Sequence, residues 1–176
     1  MINIETKIGK ILTNVNESSA NQLLPLQKAI NLKVMNIRTE IIINAPKEKI
    51  WDILTDFNKY QQWNPFIVMS KGEAIPGSHL INTMINGEGT MTFKPTVLKA
   101  EPFSYFDWLG KLWIKGLFDG HHYFQIEEIH PNQVKLIHGE NFSGLLSKII
   151  LKKIGQQTRE NFVKMNQALK NRAESN

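Results

Sequence analysis

The sequence predicts an α+β domain in which a curved antiparallel sheet wraps around a long C-terminal helix and encloses a small-molecule cavity. Three observations lead there. Residues 66–142 read as strands at short spacing with turn signals between them, which argues for an antiparallel meander and against βαβ units. Gly144 to Ala173 is the longest stretch with the periodicity of one helix. At 176 residues, 41% hydrophobic and 21% charged, the chain is one domain's worth of ordinary globular composition and can bury a real core.

Residues 1–36 carry no motif and read as an N-terminal extension, in which Leu23, Leu24, Leu26, Ile30 and Leu32 could make a short amphipathic helix. The domain proper is expected over 37–173. Ile37, Thr39, Ile41 and Ile43 alternate with Arg38, Glu40 and Ile42, a strand with one buried face. Asn44-Ala45-Pro46 stops it. Pro46 suits the first position of a helix, and Glu48 in its first turn meets the helix dipole. Ile50, Ile53, Leu54 and Phe57 give that helix its buried stripe, and a second short helix carries Tyr60 to Trp63-Asn64-Pro65-Phe66. Asn64, before a proline, is pushed out of the α region, so the chain turns there into strands. These are expected at Ile67–Glu73, His79–Ile85, Thr90–Ala100 (with a bulge or edge at Pro95), Tyr105–Ile114, His121–Ile129 and Val134–Phe142. In the final helix Ile150, Ile154, Phe162, Met165 and Leu169 form the apolar stripe. Gly155 costs it about 1 kcal/mol relative to Ala, and close packing on the sheet is the favoured reason over room for a ligand.

Composition excludes several function classes. With no Cys there is neither a disulfide framework nor a thiolate metal site, which fits a reducing cytosol. No apolar run approaches the roughly 20 residues of a membrane helix, and Met1–Lys10 lacks a signal-peptide core, so a cytoplasmic protein without an integral membrane segment is expected. The net charge of +5 is concentrated in 144–173, where seven Lys/Arg face Glu160 alone. Without groove-entering or base-stacking elements, this basic stretch reads as the solvated face of an amphipathic helix, and no nucleic acid is expected as a partner. The glycines at 87, 89, 116 and 120 match no phosphate-binding spacing, so no cofactor is expected.

Several words of the sequence carry a family resemblance. They are Ile43-Asn44-Ala45-Pro46 followed by Ile50-Trp51, then Trp63-Asn64-Pro65-Phe66, then Leu117-Phe118-Asp119-Gly120-His121-His122-Tyr123-Phe124. His138-Gly139-Glu140-Asn141-Phe142-Ser143-Gly144-Leu145-Leu146 and Met165-Asn166-Gln167-Ala168-Leu169-Lys170 complete the set. In order and spacing, over about 37–173, they resemble the START-like (SRPBCC) superfamily and its bacterial polyketide cyclase/dehydratase-like branch. The resemblance implies a helix-grip fold, a single seven-stranded antiparallel sheet folded around the last helix, with a cavity for an apolar ligand between them. It leaves the reaction open, because cyclases, lipid carriers, hormone receptors and co-chaperone domains share that fold.

Strand parity nominates the cavity residues. Val134, Leu136, His138, Glu140 and Phe142 share one face, as do His122, Phe124, Ile126 and Glu128 on the preceding strand. A hairpin pivoting near Pro131 sets Phe124 opposite His138 and His122 opposite Glu140. Phe106 and Trp108 face inward on the strand before, Tyr105 and Asp107 outward. The expected ligand-binding set is Phe106, Trp108, His122, Phe124, Leu136, His138, Glu140 and Phe142 from the sheet, with Ile150 and Ile154 from the helix. His122 and Glu140 either satisfy one another as a core pair, or line the cavity and bind a ligand carbonyl or hydroxyl or move a proton, and they are the catalytic candidates. No metal is expected: His121 and His122 point to opposite faces, and only type and spacing speak for a set of His122, His138 and Glu140. Neither Ser143 nor Ser147 sits in a nucleophile elbow. Trp51, Trp63 and Trp113 read as packing residues. Three functions remain: a carrier or sensor of a small apolar molecule, a cyclase- or dehydratase-like enzyme, or an interaction module using the outer sheet surface. Oligomeric state is open.

Overall fold

The computed structural model describes residues 35–86, 88–111 and 116–175. The expected helix around Leu23–Leu32 and Trp113 lie outside the described residues. Strand β1 (Met35–Ile43) is followed by helix α1 (Lys47–Thr55) and a 3₁₀ turn (Phe57–Gln62). Strands β2 (Ile67–Lys71), β3 (Ile81–Asn86), β4 (Gly89–Phe93), β5 (Thr96–Glu101), β6 (Tyr105–Lys111), β7 (Asp119–His130) and β8 (Gln133–Ser143) precede helix α2 (Ser147–Glu174). Every strand pairing is antiparallel.

The expected single seven-stranded sheet is corrected. The described residues form a five-stranded sheet in the order β1-β8-β7-β6-β5 and a three-stranded sheet in the order β2-β3-β4. Pro95 is the cause. It has no N–H to give a ladder, so the stretch read as one strand over 90–100 becomes β4 and β5, which belong to different sheets. The crossing is held by Leu80 N–H to the Pro95 carbonyl (3.0 Å), Val97 N–H to the Ser78 carbonyl (2.9 Å) and a lone bridge between His79 and Thr96.

The α2 stripe also differs from expectation. Its buried residues are Ser147, Leu151, Thr158, Phe162, Met165, Asn166, Leu169 and Ala173. Ile154, expected to face the cavity, is 39% exposed, because Leu151 takes the inner position and the following turn presents Gly155 and Thr158 instead. Gly155 is not a close-packing glycine either. Among the described residues a Cβ there would meet no sheet atom within 4 Å, and only the Leu151 side chain, at 4.0 Å.

Two of the helix's basic residues have a structural task. β1 is an edge strand, and the outward carbonyls of an edge need partners. Arg159 Nη1 donates to the Arg38 carbonyl at 3.0 Å, and Lys170 Nζ donates to the Ile42 carbonyl at 2.8 Å. No described helix is long and apolar enough to cross a membrane.

The buried apolar residues fall into two clusters. The larger runs from Ile43, Ile50, Leu54 and Phe57 through Trp108, Phe124 and Leu136 to Phe162 and Leu169. The smaller holds Phe118, Phe142 and Leu151, with Ile150 and Met35 packed against it. Ile37 touches both, and its partner across the β1–β8 ladder is Glu140. The boundary between the two clusters therefore lies at the level of Glu140.

Candidate functional site

The register sets Trp108 beside His122 and His122 beside Glu140, with Phe106, Phe124 and His138 one rung below. This is the pairing expected from a hairpin pivot near Pro131. Strand alternation turns these side chains to the inner face, where α2 lies across them. Trp108 stacks on His122 (centroids 4.3 Å, planes 8°), and His138 stacks on Phe162 of α2 (4.0 Å, 14°). His138 is 0% and His122 3% exposed.

Buried imidazoles need hydrogen-bond partners, and here the partners form a chain. His122 Nε2 and His138 Nε2 are 2.9 Å apart. His138 Nδ1 lies 2.8 Å from Asn166 Oδ1 on α2. Asn166 Nδ2 donates to Thr39 Oγ1 (2.9 Å), and Thr39 donates to the His138 main-chain carbonyl (3.0 Å). At the other end His122 Nδ1 is 3.5 Å from Glu140 Oε2, longer than a good hydrogen bond. The expectation that His122 and Glu140 satisfy one another is thus corrected: the tight partner of His122 is His138, and Glu140 stands at the end of the chain.

Burial sets the charge states. It pushes His122 down to about 3, with His121 adding repulsion, and holds His138 well below the usual imidazole range, helped by His122 and opposed by the Asn166 hydrogen bond. Burial also pushes the Glu140 carboxyl up to about 8, against the pull of His121. Glu140 nevertheless keeps 18% of its side chain open to solvent, so it is the one member of the row that reaches outward. Burial thus favours, at neutral pH, two uncharged imidazoles and a protonated acid at the end of the row.

Gly120 makes room for that acid. It pairs with Phe142 on β8, one rung from Glu140, and a Cβ on it would overlap Glu140 Oε1. Gly120→Ala is therefore expected to displace the carboxyl and destabilise the fold by about 1–3 kcal/mol, the usual cost of overpacking. Chemical denaturation checks this, and an unchanged midpoint would mean that Glu140 is not held over Gly120.

Of the expected ligand-binding residues, Phe106, Trp108, His122, Phe124, Leu136, His138 and Phe142 are buried on the inner face and Glu140 is half-buried. Ile150 packs in the smaller cluster, and Ile154 faces away. Trp51 and Trp63 pack against the larger cluster. Among the described residues no His, Cys, Asp or Glu group is arranged to hold a metal ion. Sequence reasoning missed the roles of Thr39 and Asn166. Both had a signal: each is a polar residue standing in register within an otherwise apolar stripe.

Residues 35–174 match the family described as polyketide cyclase / dehydrase and lipid transport. No curated protein sequence matches the chain. Among solved structures it is similar to the Zhui aromatase/cyclase from Streptomyces (13% identity, TM-score 0.66, covering 80% of this chain and 94% of that one). A START superfamily protein from Mycobacterium smegmatis aligns at 20% identity and TM-score 0.62 over 79% and 97% of the two chains. Norcoclaurine synthase from Thalictrum flavum, solved in complex with dopamine and hydroxybenzaldehyde, aligns at 10% identity and TM-score 0.63 over 84% and 92%. At these identities the likeness is one of fold. With the family match over most of its length, this chain belongs to the polyketide cyclase/dehydrase and lipid transport family, on a START-like helix-grip fold.

Proposed function

We propose that the chain binds a small, largely apolar molecule, lipid- or polyketide-like, between the sheet and α2, as a carrier or sensor. One observation carries this reading: the two apolar clusters part at the level of Glu140, whose carboxyl lies over the side-chain-free Gly120. An apolar enclosure with few convergent polar groups is the usual character of a small-molecule site. The Trp108–His122 stack beside it offers a fluorescent reporter. Native mass spectrometry of the protein purified from its own host tests the reading. A co-purified small molecule, unchanged on incubation, is the expected result, and protein that stays empty both there and in titrations of Trp fluorescence with apolar probes would overturn it.

A second reading is a cyclase- or dehydratase-like enzyme in which the His122/Glu140 pair moves a proton. It is favoured by the raised carboxyl of Glu140 beside the uncharged imidazole of His122, two groups whose environments push their protonation apart. Turnover of a polyketide-type substrate by the wild type that is lost in Glu140→Gln would decide for it. The third function, an interaction module on the outer sheet surface, has no comparable observation behind it.

A further inference from the structure

The polar chain has a direction, fixed at the end remote from Glu140. The hydroxyl of Thr39 has one hydrogen, and it goes to the His138 carbonyl, so toward Asn166 the hydroxyl can only accept. That orients the amide: Nδ2 toward Thr39, Oδ1 toward His138. A carbonyl oxygen cannot donate, so His138 Nδ1 carries the proton and its Nε2, in the neutral ring, is a bare acceptor. His122 Nε2 must then donate across the 2.9 Å contact, which leaves His122 Nδ1 with a lone pair, aimed at Glu140.

We infer that Thr39 and Asn166 act as positioning residues that lock His138 in its Nδ1–H form and His122 in its Nε2–H form, so that the site offers its ligand an acceptor at His122 Nδ1 beside the Glu140 carboxyl and selects an apolar molecule bearing a hydroxyl. The gap supports this. At 3.5 Å the two groups do not bond well to each other, and an inserted hydroxyl can donate to the imidazole while accepting from the acid. The protonated state that burial favours for Glu140 supplies the matching donor. An ether of the same shape would leave the imidazole lone pair without a donor, the situation in which polar sites discriminate strongly. The ligand class rests on the small-molecule reading above; the tautomer pattern does not.

Two measurements on the full chain test this. Long-range proton–nitrogen correlation NMR of the histidine rings at neutral pH should show His138 protonated at Nδ1 only and His122 at Nε2 only. Asn166→Leu, which can neither donate to Thr39 nor accept from His138, should lose the pattern. The reversed pattern, with His122 Nδ1–H facing a Glu140 carboxylate, overturns the inference, as does retention of the pattern in a folded Asn166→Leu. Binding of naphthol and of its methyl ether is then followed by Trp fluorescence. Naphthol should bind at least about tenfold more tightly, a margin of about 1.4 kcal/mol. Equal affinities overturn the ligand class while leaving the apolar-ligand reading intact. Failure of both probes to bind, with the NMR pattern as expected, counts against the ligand reading and its hydroxyl class, and leaves the positioning role standing.

Discussion

Phe162→Ala is expected to destabilise the protein by about 3–5 kcal/mol, the range for truncating a fully buried aromatic. The ring is 0% exposed and is the point where α2 grips the sheet. It stacks on His138, meets His122 edge-on at 5.1 Å and packs against Phe66 of the loop before β2 at 5.8 Å. Removing it leaves a cavity against two imidazoles that burial keeps uncharged, so water can enter where the apolar wall stood and both rings move back toward their ordinary titration range. Phe162→Leu, which keeps most of the volume, should cost less than half as much. Urea denaturation of the three proteins gives the comparison. A loss below about 1 kcal/mol for the alanine variant would mean that the helix is held elsewhere, by Leu151 or the Met165–Leu169 turn.

The fold was legible because its signals are local and redundant. Alternation in 134–142 and 122–128 fixed the inner face, and a single hairpin length then fixed which residues oppose each other. The split into two sheets was less legible: Pro95 announced an interruption, but whether the chain resumes in the same sheet depends on pairings with distant residues, such as His79 with Thr96 and Val97 with Trp108, and these leave no local mark. The helix face was misphased by one position at its first turns because Ile150, Leu151 and Ile154 are equally apolar, so composition could not choose among them; Phe162, Met165 and Leu169 had no such competitors and were placed correctly. The site was legible in its members and not in its wiring. His122, His138 and Glu140 follow from parity, whereas the preference of His122 for His138 over Glu140 comes from side-chain rotamers and from Asn166, which arrives from a helix 28 residues further along.

Stability should pass through a maximum near pH 6.5, because the buried row titrates in opposite senses on either side of it. His122 and His138 have folded values pushed down from the usual 6.5. Below pH 6.5 the unfolded chain therefore binds protons that the folded chain refuses, and stability falls as the solution becomes more acid, toward about pH 3 for His122. Glu140 has a folded value raised from 4.5 to about 8. Between those values the folded chain holds a proton that the unfolded chain has lost, so this group favours folding at low pH, and its contribution is lost as pH rises through about 8. From 4.5 to 6.5 two imidazoles oppose one carboxyl and stability rises with pH. Above 6.5 the carboxyl acts alone and stability declines, by about 2 kcal/mol up to pH 8 at roughly 1.4 kcal/mol per unit. Among the described residues few other charges face the row. β1 presents Ile37 and Thr39, β6 presents Trp108, and the buried face of α2 carries Thr158 and Asn166 and no ionisable group. His121, on the opposite sheet face and 2.6 Å from Asp107, is the nearest outside influence. Glu140→Gln isolates the acid's part: it should abolish the decline above 6.5 and steepen the rise between 4.5 and 6.5, where the carboxyl no longer opposes the imidazoles. If the variant and the wild type lose stability in parallel up to pH 8, Glu140 is ionised throughout and the row ends in a carboxylate.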